Sequence, residues 1–434
     1  MFHRKLLVVQ VAALGYEFLK REINAKWKEL EFRPLEPTFP AVTCTVQASF
    51  RTASPPGAHG MVANGIFHEE LQRPMFWEQS SRLVSGARIW DGLRKRGKRV
   101  AMLFWQQSLG ADVDLVLSPA PIHKHHGGMI PDCYGKPAYL YEHLCSAVGH
   151  QFSLAHYWGP LASSKSGDWI ANATAALLSD NDLAPDLCLT YLPTLDYDLQ
   201  RHGPDHDRSV RALEALVGQF NTLVEAAQRH DYHVLFYGDY AIGAVEGEAV
   251  FPNRALSDAG LFHTRQIGHM LYPDFYRSRA FALVDHEIAH VIIDDPDDLA
   301  LARQCLGSLE GVGEVLDREA MRKVGVDHAR SGELLLVAAP GRWFAYPWWR
   351  RKREAPEYAK HVDIHQKPGY DPCELFFGRF PTQVSTDTTQ VRGSHGRMGA
   401  ERLACWASTC AFETEPATLL ELASSVRAWM EAAG

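Results

Sequence analysis

At 434 residues the chain exceeds the roughly 250–300 at which one hydrophobic core stops growing, so a large α/β body with a smaller unit, or two domains, is expected. Its 46% apolar and 22% charged content is that of a globular protein, and a net charge of −8 argues against a nucleic-acid polymer as the main ligand. No run approaches the ~18 uncharged apolar residues of a membrane span, and the eight cysteines are scattered without a CxxC pair, which speaks against a zinc ribbon or a disulfide scaffold.

The first element is a buried strand over residues 6–14. The basic start, Arg4-Lys5, imitates a signal peptide, but Gln10 interrupts the apolar run and no small-x-small cleavage site follows, so a soluble, cytoplasmic protein with reduced thiols is expected. Residues 39–42 read as a strand-like approach to Thr43. After the turn-forming Pro55-Pro56-Gly57, Asn64 returns toward it. A hydroxyl nucleophile with an amide donor nearby suits phosphoryl transfer, although a Thr beside Cys44 at a strand end is also compatible with plain packing.

Further along, helices are expected over 77–96 and 207–229, and strands over 100–105, 187–192 and 234–237. This alternation implies a largely parallel sheet covered on both faces, with functional groups at the C-terminal strand ends. His123, His125 and His126 lie in a Gly-rich loop suited to substrate or solvent. After the 187–192 strand, Asp198 and His202 stand four apart, a helical spacing that lets both ligate one ion; a capping Asp with an incidental His is the other reading. Gly238-Asp239-Tyr240 closes the 234–237 strand with a carboxylate.

From 265 to 350 short Gly- and Pro-punctuated elements predict a smaller α+β insertion, leaving 1–264 and 351–434 as the main body. Within it His286-Glu287-Ile288-Ala289-His290 matches HExxH, but its β-type flanks favour a strand and turn, where i and i+4 lie about 13 Å apart, too far to share a zinc. The basic patch Trp348 to Arg353 reads as a solvated face, with an anion-binding rim as the other reading. An extended 361–365 segment would align His361, Asp363 and His365. Val391-Arg392-Gly393-Ser394-His395-Gly396 frees a histidine ring between glycines, and an amphipathic helix over 414–433 ends the chain.

The order Thr43, His59-Gly60, Asn64, Asp198-x-x-x-His202, Gly238-Asp239 and Gly393-Ser394-His395-Gly396 resembles the alkaline phosphatase superfamily. Within it the type I phosphodiesterase/nucleotide pyrophosphatase branch, which includes phosphonoacetate hydrolase, is the more similar, over about residues 5–410. The resemblance implies a three-layer α/β sandwich and a metal-dependent hydrolase of phosphoric esters or anhydrides acting on a phosphorylated small molecule.

It implies that Thr43 is the nucleophile forming a phospho-threonine and that Asn64 holds a phosphoryl oxygen. Asp198, His202 and His395 would hold one divalent ion, zinc before manganese or iron, and Asp239 would serve a second that activates Thr43. Two departures weaken the second site: no carboxylate ends the first strand, where Gln10 stands, and Tyr240 replaces a histidine after Asp239. Gln10, Tyr240, Asp363 and His365 are candidate substitute ligands. A catalytically degenerate descendant that binds a phosphorylated metabolite or protein is the alternative.

Overall fold

The computed structural model describes residues 4–125 and 128–432. In chain order the elements that build the site are β1 (Lys5–Val11), β2 (Arg33–Leu35), α1 (Thr43–Thr52), β3 (Val100–Leu103), β4 (Leu115–Pro119), β5 (Cys133–Lys136), α2 (Ser164–Leu178), β6 (Leu187–Leu192), α3 (Thr194–His202), α4 (Asp207–Arg229) and β7 (Tyr232–Gly238). There follow β8 (Ala280–Asp285), β9 (Ile288–Ile293), β10 (Val312–Asp317), β11 (Leu334–Ala338), β12 (Ala404–Ser408) and α5 (Leu419–Glu431).

Eight strands form the central sheet in the order β5-β4-β3-β6-β1-β7-β12-β2. The middle five run parallel, and antiparallel strands close both edges. Helices cover both faces, and β6 is buried at every position, so it reads as continuously apolar rather than alternating.

The helices show why they dock. In α4, Leu213, Leu216, Phe220, Leu223 and Ala227 recur at three- and four-residue spacing and are all buried. Gln219 on the same helix accepts from the Thr194 hydroxyl (2.8 Å) and donates to Asp168 (2.9 Å), tying α4 to α2 and α3.

At the C-terminal edge the ends of the central strands are clamped: Ala12 N donates to Leu192 O (2.9 Å) and Asp239 N to Val11 O (3.3 Å). The strand ends beneath the site are therefore tied to one another. A second sheet, β8-β9-β11-β10, is antiparallel throughout and packs on its own apolar cluster. It lies within the span expected to form a smaller α+β insertion, and its β8–β9 hairpin reaches the same edge as Thr43.

Several local expectations fail. Residues 77–96 are not one helix but a 3₁₀ turn (Ser81–Leu83) and a short helix (Asp91–Lys95). Gly86, at φ +92°, breaks the run, and the Arg88 guanidinium bonds the Val84 carbonyl instead (2.7 Å). Residues 39–42 pair with no strand, and Thr43 is the first residue of α1. Pro56 opens a one-turn helix, Pro56–His59. No helix among the described residues is long and apolar enough to cross a membrane.

Candidate active site

Thr43 opens α1 without a side-chain cap at Val42, so the positive end of the helix faces the cavity that Thr43 lines. Its hydroxyl interacts with the phenols of Tyr191 and Tyr240. Burial raises both phenols well above their usual range, so both are neutral hydrogen-bonding groups.

Asn64 lies behind Thr43. Its Oδ1 accepts from Cys44 N (2.9 Å), capping α1 from a distant part of the chain, and its Nδ2 donates to Asp285 (3.1 Å). Asp285 also accepts from Asn64 N (2.7 Å) and from His286 Nδ1 (2.7 Å). One carboxylate thus orients both the amide and an imidazole. Burial raises Asp285 to about 6 despite these hydrogen bonds. His286 occupies the turn of the β8–β9 hairpin at φ +62° and lines the cavity.

Four rings stack across the site. His395 lies on Tyr240 (centroids 3.5 Å, 3°) and beside His286 (3.8 Å), which in turn lies on Tyr370 (3.6 Å). His395 Nδ1 bonds the Ala41 carbonyl (2.8 Å), which aims the ring from the loop before α1. Burial drives both imidazoles well below their usual range, so they are neutral.

The expected pair Asp198 and His202 is not part of this arrangement. Asp198 faces outward near Arg201 (3.7 Å) and His202 (3.8 Å), and His202 stacks on His206 (4.8 Å). The same helix delivers Asp196 and Gln200 to the cavity. Residues two apart on a helix differ by about 200° in direction, so the two overlapping i,i+4 pairs point to opposite sides. The burial of Leu195 and Leu199 beside Asp196 and Gln200 was the signal available in the apolar pattern.

Asp196 accepts from Gln200 Nε2 (2.7 Å) and from the Tyr240 hydroxyl (2.9 Å), and burial raises it to about 6. Gln200 Oε1 accepts from Tyr370 (2.9 Å). Asp239 is fully buried and accepts from Ala13 N (3.0 Å), Tyr240 N (2.9 Å) and Gln10 Nε2 (3.1 Å). Gln10 Oε1 accepts from Tyr237 (2.7 Å). Burial holds the Asp239 carboxyl well above its ordinary value.

These donors do not fit a pair of divalent ions. Among the described residues no three His, Cys, Asp or Glu side chains group as a metal site requires. Asp196, Asp239 and His395 remain, but amide N–H groups and the Tyr240 phenol occupy the two carboxylates. Asp363 and His365 do reach the cavity wall, yet from a turn rather than an extended segment. Asp363 accepts from Gln366 N (3.1 Å), and His365 Nδ1 bonds the Phe76 carbonyl (3.0 Å) and faces His123 (5.8 Å). His361 does not line it, and His126 lies outside the described residues. The HExxH histidines do not converge: His290 is on β9, bonding Val62 O (3.2 Å) and Gly332 N (3.2 Å).

The cavity itself measures about 700 Å³. Trp77, Trp158, Tyr157, Phe152, Leu154 and Ile364 give it a mainly apolar wall. Among the described residues no lysine or arginine lines it. Such a chamber accommodates an organic group against rings while Thr43 waits at one end.

Comparison with known proteins agrees with this architecture. Murine ectonucleotide pyrophosphatase/phosphodiesterase 5 superposes with a TM-score of 0.62 at 15% identity, covering 98% of this chain and 95% of that one; an inactive form of it is described in complex with AMP. Phosphonoacetate hydrolase from Sinorhizobium meliloti 1021, described in complex with phosphonoformate and with phosphonoacetate, gives 0.65 at 14% identity over 100% and 96%. At such identities the likeness is one of fold. None of the curated proteins matches the chain. The type I phosphodiesterase/nucleotide pyrophosphatase family model matches residues 16–371, so the chain belongs to that family, in the alkaline phosphatase superfamily, and is a phosphoric ester hydrolase of that class.

Proposed function

We propose that the chain hydrolyses a phosphoric ester or anhydride whose organic part fills the apolar cavity, with Thr43 as nucleophile and a phospho-threonine intermediate. The observation that carries this reading is the position of Thr43: a hydroxyl at the first residue of a ten-residue helix, on the floor of a cavity large enough for the substrate. The helix N-terminus favours the phosphoryl anion there. In the first step the bond from Thr43 Oγ1 to phosphorus forms and the bond to the leaving oxygen breaks, the hydroxyl proton ending on that oxygen as the alcohol (ester) or phosphate (anhydride) departs. Water then attacks phosphorus, the Oγ1–phosphorus bond breaks, and one proton of the water returns to Oγ1, which restores the hydroxyl and releases the phosphate.

On this reading the remaining side chains orient rather than react. Asn64 fixes the first turn of α1 through Cys44 N, and Asp285 fixes Asn64. The phenols of Tyr191 and Tyr240 hold the Thr43 hydroxyl. Divalent cations are typical of the family, but the donor set around Thr43 does not fit them, and no step above uses one.

A second reading has its own support. Gln10, Gln200 and Tyr240 present neutral groups to the two carboxylates, which suits a member that binds a phosphorylated metabolite or protein partner without turning it over. Phosphodiesterase and pyrophosphatase assays of wild type and Thr43→Ala, paired with calorimetric binding of the same compounds, separate the two. Turnover lost by at least about a thousandfold in Thr43→Ala supports the hydrolase, the scale at which removing a nucleophile acts. Binding without Thr43-dependent turnover replaces it with the second reading.

A further inference from the structure

Three positions around Thr43 carry neutral hydrogen-bonding side chains, and each is already committed. Gln10 turns its amide N–H₂ toward Asp239 (3.1 Å), and Gln200 turns its own toward Asp196 (2.7 Å). Tyr240 gives its hydroxyl hydrogen to the other Asp196 oxygen (2.9 Å). Both carboxylates therefore face donors, whereas a divalent ion requires a shell of lone pairs.

Reversing the amides is not a free choice. Gln10 Oε1 holds the Tyr237 hydroxyl (2.7 Å) and Gln200 Oε1 holds that of Tyr370 (2.9 Å). All four side chains are buried, so an amide that turned its oxygen toward an ion would break two hydrogen bonds away from water. The Tyr240 ring is fixed as well, face to face with His395 at 3.5 Å.

We infer that the Thr43 chamber works without a divalent cation, the carboxylates of Asp196 and Asp239 being satisfied by the amides of Gln200 and Gln10 and the phenol of Tyr240. The network places the Tyr240 hydroxyl between Asp196 and Thr43, where it serves as a fixed dipole at the nucleophile. The inference concerns the same chamber as the hydrolase reading but does not depend on turnover.

Metal content of the full-length, untagged protein after dialysis against zinc or manganese tests it, together with the melting temperature in the presence and absence of each metal. Wild type is expected to carry far less than one ion per chain and to melt unchanged with zinc or EDTA. The variant Gln10→Asp/Gln200→His/Tyr240→His, which converts the three donors into ligands, is expected to take up stoichiometric metal and to melt higher with it. Stoichiometric metal in wild type that Asp196→Asn, Asp239→Asn, Asp285→Asn or His395→Ala removes would overturn the inference; metal that survives all four substitutions lies outside the chamber and leaves it standing. Because wild-type metal content decides the matter, the result holds whether or not the triple variant folds and whether or not Thr43 turns over a substrate.

Discussion

Lys367 is 1% exposed, and its ammonium lies 2.7 Å from Asp371 and 2.7 Å from Glu374. Glu374 also accepts from Trp158 Nε1 (2.5 Å) and Asp363 N (2.9 Å), so this one cation fixes two sides of the cavity wall. Lys367→Met keeps the stem's volume and strands both carboxylates. Removing one partner of a buried ion pair costs about 3–5 kcal/mol, because the charge left behind is uncompensated. Urea unfolding followed by tryptophan fluorescence at pH 8 should show that loss.

The pH dependence has a definite sign. In wild type burial alone would lower Lys367, but the two carboxylates together overcome it and raise the ammonium above its ordinary 10.5, so its contribution is complete below that value and constant between pH 6 and 8. In the variant, burial without the Lys367 charge lifts Glu374 further above its ordinary 4.5, so the penalty is fullest at high pH and shrinks as Glu374 takes up a proton on acidification. Adding Asp371→Asn and Glu374→Gln to Lys367→Met should recover much of the stability. A single variant within about 1 kcal/mol of wild type at pH 8, the worth of an exposed pair, would refute the reasoning.

Other expectations follow from the same geometry. Both ring nitrogens of neutral His290 are used and burial lowers it to about 4, so it destabilises the fold progressively as pH falls below 6.5, by about 1.4 kcal/mol per unit. The stability gap between wild type and His290→Gln should therefore narrow by about 2 kcal/mol from pH 6.5 to 5, a difference that cancels the opposing titration of the buried aspartates; a constant gap would contradict it. At Gly238 an added Cβ would overlap the Leu14 carbonyl oxygen, so Gly238→Ala should cost about 1–3 kcal/mol or more in denaturant melts and displace Asp239. Asn64→Ala removes the cap on Cys44 N, for about 1–2 kcal/mol of stability, and should lower kcat more than it raises KM. With no cationic side chain on the described cavity wall, a singly charged aryl phosphodiester should be turned over at least about tenfold better, in kcat/KM, than the corresponding doubly charged monoester; the reverse preference would show a charge that the wall lacks.

The apolar pattern of the chain determined most of its architecture. Residues 187–192 and 207–229 coincide with β6 and α4, because a strand covered on both faces and a helix with one apolar stripe each write their burial directly into the residue order. The order of words around Thr43, Asn64, Asp239 and His395 likewise revealed the family, and Gln10 and Tyr240 were visible as departures.

The composition of the site was not visible in the same way. Which face of α3 meets the cavity depends on how that helix packs against α4 and α2. Asp196 and Gln200 therefore displaced Asp198 and His202 although both pairs have the same spacing. The roles of Asp285, His286 and Tyr370 arise from a hairpin and a turn more than 200 and 300 residues beyond Thr43, respectively brought to the sheet edge by the second core. Hydrogen-bond direction was decided last: a glutamine offers either an oxygen or an N–H₂, and only its neighbours Tyr237 and Tyr370 turn the N–H₂ groups of Gln10 and Gln200 toward the carboxylates.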